Sequence, residues 1–272
     1  MSINENGFLS REMCALLPEL NTKFGKYIEF AYKLNRIAQE QKNKYSCNSF
    51  DRLKTIANCL FIKILNGFQA CIILIEKMMP YEASALSRTL CDPLYLLRIL
   101  GNEEEAEFWK DFVRYGSVLL RKKINVAEQN PELDTDFIKK FIPKEYIDSI
   151  ELNASAVDKN QFRVERLAIK AGMKTHYDVV FRHASDDIHT PPNVVNRYVE
   201  FDDNYEAKGF DWGAKDDNVD WLLLIISSIL IDAISLMDKL HGIDHHHEHE
   251  NIINEWKRES KAILTNRIGV SF

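Results

Sequence analysis

This sequence of 272 residues is poor in glycine and proline, with 10 and 7 of them, and it has no surplus of basic charge. Few helix breakers, together with many Leu, Ile, Glu and Lys residues, predict an all-α protein. The acidic residues exceed the basic ones by 41 to 35. That balance argues against broad, non-specific binding of nucleic acid, although it leaves room for a small, local phosphate site.

Several chemical motifs are also missing from the sequence. There is no glycine-rich phosphate loop, no GxSxG segment and no Cys-x-x-Cys pair, so we expect no cofactor. The five cysteines are odd in number, and Cys59, Cys71 and Cys91 lie in apolar helical runs, which predicts buried free thiols in a reducing compartment. The first residues lack the basic and apolar parts of a signal peptide, and we expect a cytoplasmic protein.

The longest apolar stretch runs from Trp221 to Leu236. It is shorter than the ~20 residues that a membrane-spanning helix needs, and it contains Asp232. We therefore predict a buried central helix and no membrane association. A carboxylate among apolar residues needs a partner, and Arg88, Arg98 and Arg182 are candidates.

Apolar residues recur at helical spacing along most of the chain, which predicts one multi-helix bundle over residues 1–272. Pro93 should kink or split the third helix. The segment 125–172 is less periodic and predicts short helices packed outside the bundle, and residues 190–216 predict a long acidic loop. The predicted helices are 18–43, about 50–79, 81–100, 102 to about 123, 131–141, 143–151, 163–171, 175–189, 217–241 and 244–264.

The segment 182–189 carries the most chemistry in the sequence. In a helix, Arg182 and His189 lie two turns apart on one stripe, with Ser185 and Asp186 between them. Histidine suits proton transfer near neutral pH, and the arginine fork matches phosphate oxygens. Arg182 and His189 are therefore candidate catalytic residues for RNA cleavage, and Ser185, Asp186 and His183 are candidates to position the substrate.

This pattern of Arg182, the polar His183 and then His189 after six intervening residues resembles the signature of the HEPN superfamily. The resemblance implies a helical bundle, metal-independent endoribonuclease activity and a toxin or phage-defence role. It further implies a homodimer, in which two such helices complete one site, RNA as the substrate, and a neutralising or defence-system partner protein.

A second, narrower pattern spans roughly residues 50–240. Arg88 and Asp92, followed downstream by Arg182, Ser185 and His189, resemble an uncharacterised bacterial helical family with an Arg-x-x-x-Glu pair and a Tyr/Ser/His stretch. This sequence differs in having Asp92 in place of Glu. The resemblance implies the fold more firmly than an activity, and it makes Arg88 and Asp92 candidates to support the site.

Simpler interpretations stand beside these. Arg182 and His189 can be a surface pair that contacts the following loop, and Arg88 and Asp92, four residues apart, can satisfy each other as a helical ion pair. The sharper hypothesis is that Arg88 reaches the helix of Arg182 and orients Ser185, Asp186 or a phosphate. The alternative function is a non-catalytic helical module that binds a nucleotide, a small ligand or a protein.

A histidine-rich segment follows Asp244. His245 and His249 have the spacing of a helical metal-binding pair, but the sequence supplies no further ligand. We expect a solvated first helical turn rather than a metal site.

Overall fold

The computed structural model describes residues 7–46, 51–102, 105, 107–130, 144–189, 192–211, 213–244 and 247–268. The described chain is mainly helical, which confirms the all-α multi-helix prediction. The first half contains α1 (Leu17–Lys42), α2 (Arg52–Glu76), α3 (Pro80–Leu100) and α4 (Phe108–Gln129). The second half contains α5 (Lys144–Ser155), α6 (Val164–Lys170), α7 (residues 174–186), α8 (Pro192–Val195), α9 (Val219–His241) and α10 (His247–Ile268).

Helices α1, α2, α3 and α9 pack together and form the centre of the fold. Their buried side chains belong to one hydrophobic cluster that extends from Met13 to Ile252. Helices α2 and α3 approach closely at Gly67, where an added Cβ would lie 2.9 Å from Cδ2 of the buried Leu90. The residue after α9 is Gly242, whose φ of 66° forms a left-handed C-cap that ends the helix.

Helices α2 and α9 are both long and apolar enough to cross a membrane by length and composition alone. In the fold, 44% of the most apolar window of α2 and 67% of that of α9 are buried inside the protein. Both helices therefore contribute apolar faces to the protein core.

Pro93 neither ends nor divides α3, which continues as one α-helix from Pro80 to Leu100. The expectation of a split helix was therefore wrong. Pro93 is buried, as are its neighbours Cys91 and Leu94. Packing of α3 against α2 and α9 offsets the helix hydrogen bond that proline cannot donate.

Residues 190–216 were predicted to be a loop, but most of the described part is folded. The short helix α8 and a 3₁₀ turn lead into an antiparallel hairpin of β1 (Val199–Phe201) and β2 (Ala207–Phe210). The Asp202 carboxylate accepts hydrogen bonds from the backbone amides of Asn204 and Glu206 and so closes the hairpin turn. The acidic residues of this segment led to the loop prediction, but Asp202 and Glu206 among them belong to the turn of the hairpin, where acidic side chains are common.

Other element boundaries also differ from the predictions. Helix α4 continues to Gln129 and therefore includes the first residues of the segment 125–172. The helix predicted over 131–141 lies outside the described residues. The last helix begins at His247 rather than Asp244 and reaches Ile268. The end of α4 has a signal that the prediction overlooked, because Asn130 precedes Pro131 and its backbone is extended, as is favoured before proline.

The cysteines and Asp232 show where burial was predicted well and where it was not. Cys71 and Cys91 are buried free thiols, but Cys59 is exposed, as is Cys14. Cys59 lies in an apolar run, yet its own position faces solvent.

Asp232 is largely buried, which raises the pKa of its carboxyl, and the nearby charge of Arg98 counteracts that rise. Among the three predicted candidates, Arg98 is the one whose charge acts on Asp232.

Candidate functional site

Helix α7, which carries the 182–189 motif, is built in three consecutive segments. Lys174–His176 and Arg182–Asp186 are α-helical, and Tyr177–Phe181 between them form a π-turn. A π-turn inserts an extra residue, so it changes which side chains share a face of the helix. Phe181 belongs to the buried core and anchors α7, and Ala184 is also buried, whereas Ile188, past the end of the helix, is 42% exposed.

The predicted catalytic pair lies at the surface. The Arg182 side chain is 61% exposed, and its Nε lies 3.6 Å from Oδ1 of the exposed Asp178. His189 is exposed, and its backbone amide donates to the Ser185 carbonyl at 3.3 Å. The helix ends at Asp186, so Arg182 and His189 do not follow one regular helical stripe, and that expectation was wrong. The turn at 187–189 sets the position of His189 instead.

The three positioning candidates differ in how freely their side chains are presented. His183 and Asp186 are exposed. Ser185 is partly buried, and its hydroxyl donates to the carbonyl of Phe181 at 2.7 Å, which leaves its lone pairs to accept a further hydrogen bond.

Asp187 is a residue of this site that the sequence interpretation missed. Its side chain is only 3% exposed, and it pairs with the Arg197 guanidinium through Oδ1 and accepts from the Ser84 hydroxyl through Oδ2. These contacts fasten the end of α7 to α3 and to the segment after α8. Neighbouring Asp186 and Asp187 look alike in sequence, and only the helix end decides which one turns inward.

A small polar cavity lies beside Asp187, between the ends of α3, α7 and α9. Its volume is about 20 Å³, which is enough for about one water molecule. His183, Asp217 and Trp221 contribute to its walls. The hydroxyl of Tyr81 donates to Asp217 at 3.0 Å, and the guanidinium of Arg197 lies 4.7 Å from the centre of the Tyr81 ring.

Arg88 reaches α7, where it contacts Phe181, and its predicted role in orienting Ser185, Asp186 or a phosphate stays a prediction. Its guanidinium carbon lies 4.6 Å from the centre of the Phe181 ring. Within the described residues, Nε of Arg88 and Oδ1 of Asp92 are buried and have no hydrogen-bond partner. Burial raises the pKa of the Asp92 carboxyl, against the opposing effect of Arg88. Arg88 and Asp92 therefore do not fully satisfy each other's polar atoms.

His176 and Tyr95 extend this polar contact between α3 and α7. The Tyr95 hydroxyl lies 2.9 Å from Nδ1 of His176. Burial lowers the pKa of His176 to about 4, so the imidazole is neutral near pH 7. Neither residue stood out in the sequence, because Tyr95 lies in an apolar run and His176 precedes the recognisable motif.

A polar seam thus runs along one face of α3, and three of its members contact α7 or the turn that follows it: Tyr95 contacts His176, Arg88 contacts Phe181 and Ser84 contacts Asp187. The spacing of three or four residues places its members on one face of an otherwise apolar helix. The seam residues on α3 are Tyr81, Ser84, Arg88, Asp92 and Tyr95.

The predicted histidine pair adds nothing to this site. His245 and the side chain of His249 lie outside the described residues. Across the part of the chain that the structure describes, no group of three or more His, Cys, Asp or Glu residues is placed to hold a metal ion.

The sequence matches a family model described as a family of unknown function, DUF5677, over residues 54–207. The match covers more than half of the chain, so the chain belongs to this family. The matched region contains Arg88, Asp92, Arg182 and His189. No curated protein and no solved structure matches the chain.

Proposed function

We propose that this member of the DUF5677 family is a metal-independent endoribonuclease that uses Arg182 and His189. The observation that carries the proposal is the exposure of Arg182, His183 and His189 at one end of α7. Asp187, in the same turn, is pinned by Arg197 and Ser84, so the helix end that presents these side chains is held in place.

The chemistry requires few groups. A base removes the proton from a ribose 2′-OH, whose oxygen attacks the adjacent phosphorus while the 5′-oxygen leaves and takes up a proton. The products are a 2′,3′-cyclic phosphate and a 5′-OH. We assign one of the proton transfers to His189, and we assign stabilisation of the phosphate charge to Arg182, whose guanidinium fits phosphate oxygens.

Arg182 is available for such a role. Its contact with Asp178 is long, at 3.6 Å, and both side chains are largely exposed, so the pair is held weakly. A phosphate that binds Arg182 therefore competes only with this weak ion pair and with a contact to the Tyr177 ring, whose centre lies 5.5 Å from the guanidinium carbon. His183 and Asp186 are exposed on the same segment, where they can contact a ribose or a neighbouring phosphate.

A second copy of the chain is part of the proposal, because a single exposed segment does not enclose a substrate. The surface around the site carries apolar residues at 42–51% exposure, namely Val179, Ile188 and Val195. Such residues favour burial in a homodimer, in which two α7 helices would supply two sets of Arg182 and His189. A cytoplasmic location and a neutralising protein partner belong to the same proposal.

The test compares wild type, Arg182→Ala and His189→Ala, with Arg258→Ala as a control at an arginine that is 74% exposed on α10. Growth inhibition in cells and the 3′ ends of RNA fragments are measured after circular dichroism has shown each variant to be folded. We expect wild type and Arg258→Ala to cleave RNA in the presence of EDTA. Each site variant should lose at least roughly a hundredfold in cleavage rate.

The alternative is a non-catalytic binding module. It predicts that wild type and His189→Ala leave RNA equally intact and affect growth equally. That outcome would remove the ribonuclease proposal.

A further inference from the structure

A groove of about 450 Å³ lies next to the polar cavity, between the start of α3 and the β1–β2 hairpin. Tyr81, Tyr198 and Phe210 give it aromatic walls, and most of its surface is apolar. Its polar side chains are Glu82, Asp211 and Lys215. This volume is within the range of pockets that hold small organic ligands.

The groove is held open by contacts of its own walls. The backbone amide of Lys215 donates to the carbonyl of Met78 at 3.0 Å, which ties the segment after the hairpin to the turn before α3. The Asp211 amide donates to the carbonyl of Tyr198 at 3.0 Å. The rings of Tyr81 and Tyr198 meet edge to face, with centroids 6.2 Å apart.

The charges of the groove select among ligands. Lys215 is already bound by the Asp211 carboxylate and by the Arg197 carbonyl, so it offers little to a phosphate. Its ammonium holds the pKa of the Asp211 carboxyl below its usual value. The two carboxylates and one paired ammonium leave the groove negatively charged, which disfavours phosphate. Both Asp211 oxygens already accept hydrogen bonds, from the Lys215 ammonium and the Gly213 amide, so we assign the exposed Glu82 as the carboxylate that accepts from an amino group of the ligand.

We propose that the groove binds one unpaired nucleobase that bears an exocyclic amino group, stacked on its aromatic walls. This assignment rests on the proposed ribonuclease function and names the part of the RNA that the protein recognises. Stacking on aromatic side chains is the usual way in which proteins hold unpaired bases. Tyr81 lines both the groove and the polar cavity that His183 lines, so the groove adjoins the end of α7.

Cytosine and uracil provide the sharpest probes, because the two bases have the same size and differ at the amino group, where uracil has a carbonyl oxygen. Fluorescein-labelled hexamers of C and of U are titrated into the full-length His189→Ala protein, and anisotropy gives Kd. We expect the C hexamer to bind at least roughly tenfold more tightly, as expected for one well-formed contact to a base edge.

Phe210→Ala should weaken binding of the C hexamer by about five- to a hundredfold, since it removes one stacking wall. Tyr205→Ala is the matched control, because Tyr205 is an aromatic residue on the same hairpin, is 87% exposed and lies outside the groove. It should leave Kd unchanged. If Phe210→Ala is not folded by circular dichroism, Tyr198→Ala is measured instead, with the same expectation.

Equal Kd values for the two hexamers, or a Phe210→Ala protein that binds like wild type, would overturn the assignment. The assignment would also be overturned if phenyltrimethylammonium bound tightly while the C and U hexamers bound equally. That result would identify the groove as an aromatic cage for organic cations. The two proposals fail separately. Selective binding of C by a protein that never cleaves RNA removes the ribonuclease function alone, and His189-dependent cleavage that is insensitive to Phe210→Ala removes the groove alone.

Discussion

Replacing Asp187 by alanine tests whether the end of α7 is fastened as the structure describes. The substitution leaves the Arg197 guanidinium without its carboxylate and the Ser84 hydroxyl without its acceptor. A hydrogen bond to a charged group contributes roughly 1.5–3 kcal/mol, and a neutral one about 1 kcal/mol. Arg197 is 22% exposed, so water compensates part of its loss. We expect the free energy of unfolding to fall by about 2–4 kcal/mol.

Asp186→Ala is the matched control, because it removes the same side chain from the preceding residue, which is exposed. It should change stability by no more than about 0.5 kcal/mol. Urea unfolding followed by circular dichroism measures both variants, and an unchanged m-value shows that the comparison is valid. If Asp187→Ala and Asp186→Ala differ by less than about 0.5 kcal/mol, Asp187 does not anchor the helix and the account of the site is wrong.

Three further predictions concern other parts of the molecule. The folded-state pKa of His176 is about 4, below the usual ~6.5 of an exposed histidine, so the folded state resists protonation and stability should be lost as pH falls from 6.5 towards 4. His176→Gln should reduce this loss of unfolding free energy by up to about 3 kcal/mol, measured by urea unfolding at a series of acid pH values. If wild type and His176→Gln lose stability in parallel as the pH falls, the imidazole is not buried in its neutral form. Tyr45→Phe removes a 2.9 Å hydrogen bond to the buried Asp238 carboxylate and should cost about 1.5–3 kcal/mol in thermal unfolding, whereas an unchanged Tm would show that the bond adds nothing. Val179→Glu places a charge on the apolar surface beside Arg182 and should convert the proposed dimer to a monomer, as measured by sedimentation velocity. If the variant remains a dimer, the dimer contact lies elsewhere.

The central helices could be predicted closely from the sequence. Their apolar residues recur every three or four positions, and their ends carry local signals such as Pro80 and Gly242, so α1, α2, α3 and α9 match the predicted bounds within about three residues. The hairpin could not be predicted, because its strands have only three and four residues, and Glu200 in β1 and Lys208 and Gly209 in β2 are residues that strands disfavour. Two short strands of this kind form only where the rest of the protein supports them.

The candidate site was predicted in part. Arg182 and His183 are exposed on α7, and Arg88 contacts the same helix, as expected from their positions in two helices. The π-turn at Tyr177–Phe181 and the end of the helix at Asp186 were not visible in the sequence, since a regular helix of 3.6 residues per turn was assumed. The seven-residue spacing of Arg182 and His189 therefore overstated how closely they share a face.

What the sequence determined by itself is local: a helical chain, the approximate extent of its long helices, and a short segment with more chemistry than its neighbours. These properties follow from residue propensity and periodicity within a few turns. Only the tertiary structure decided that Asp187 rather than Asp186 turns inward, that Tyr95 meets His176 across two helices, and that Tyr81 and Tyr198 form one groove with Phe210. Each of these contacts joins residues that lie far apart in the chain or at an irregular helix end, where packing sets the geometry.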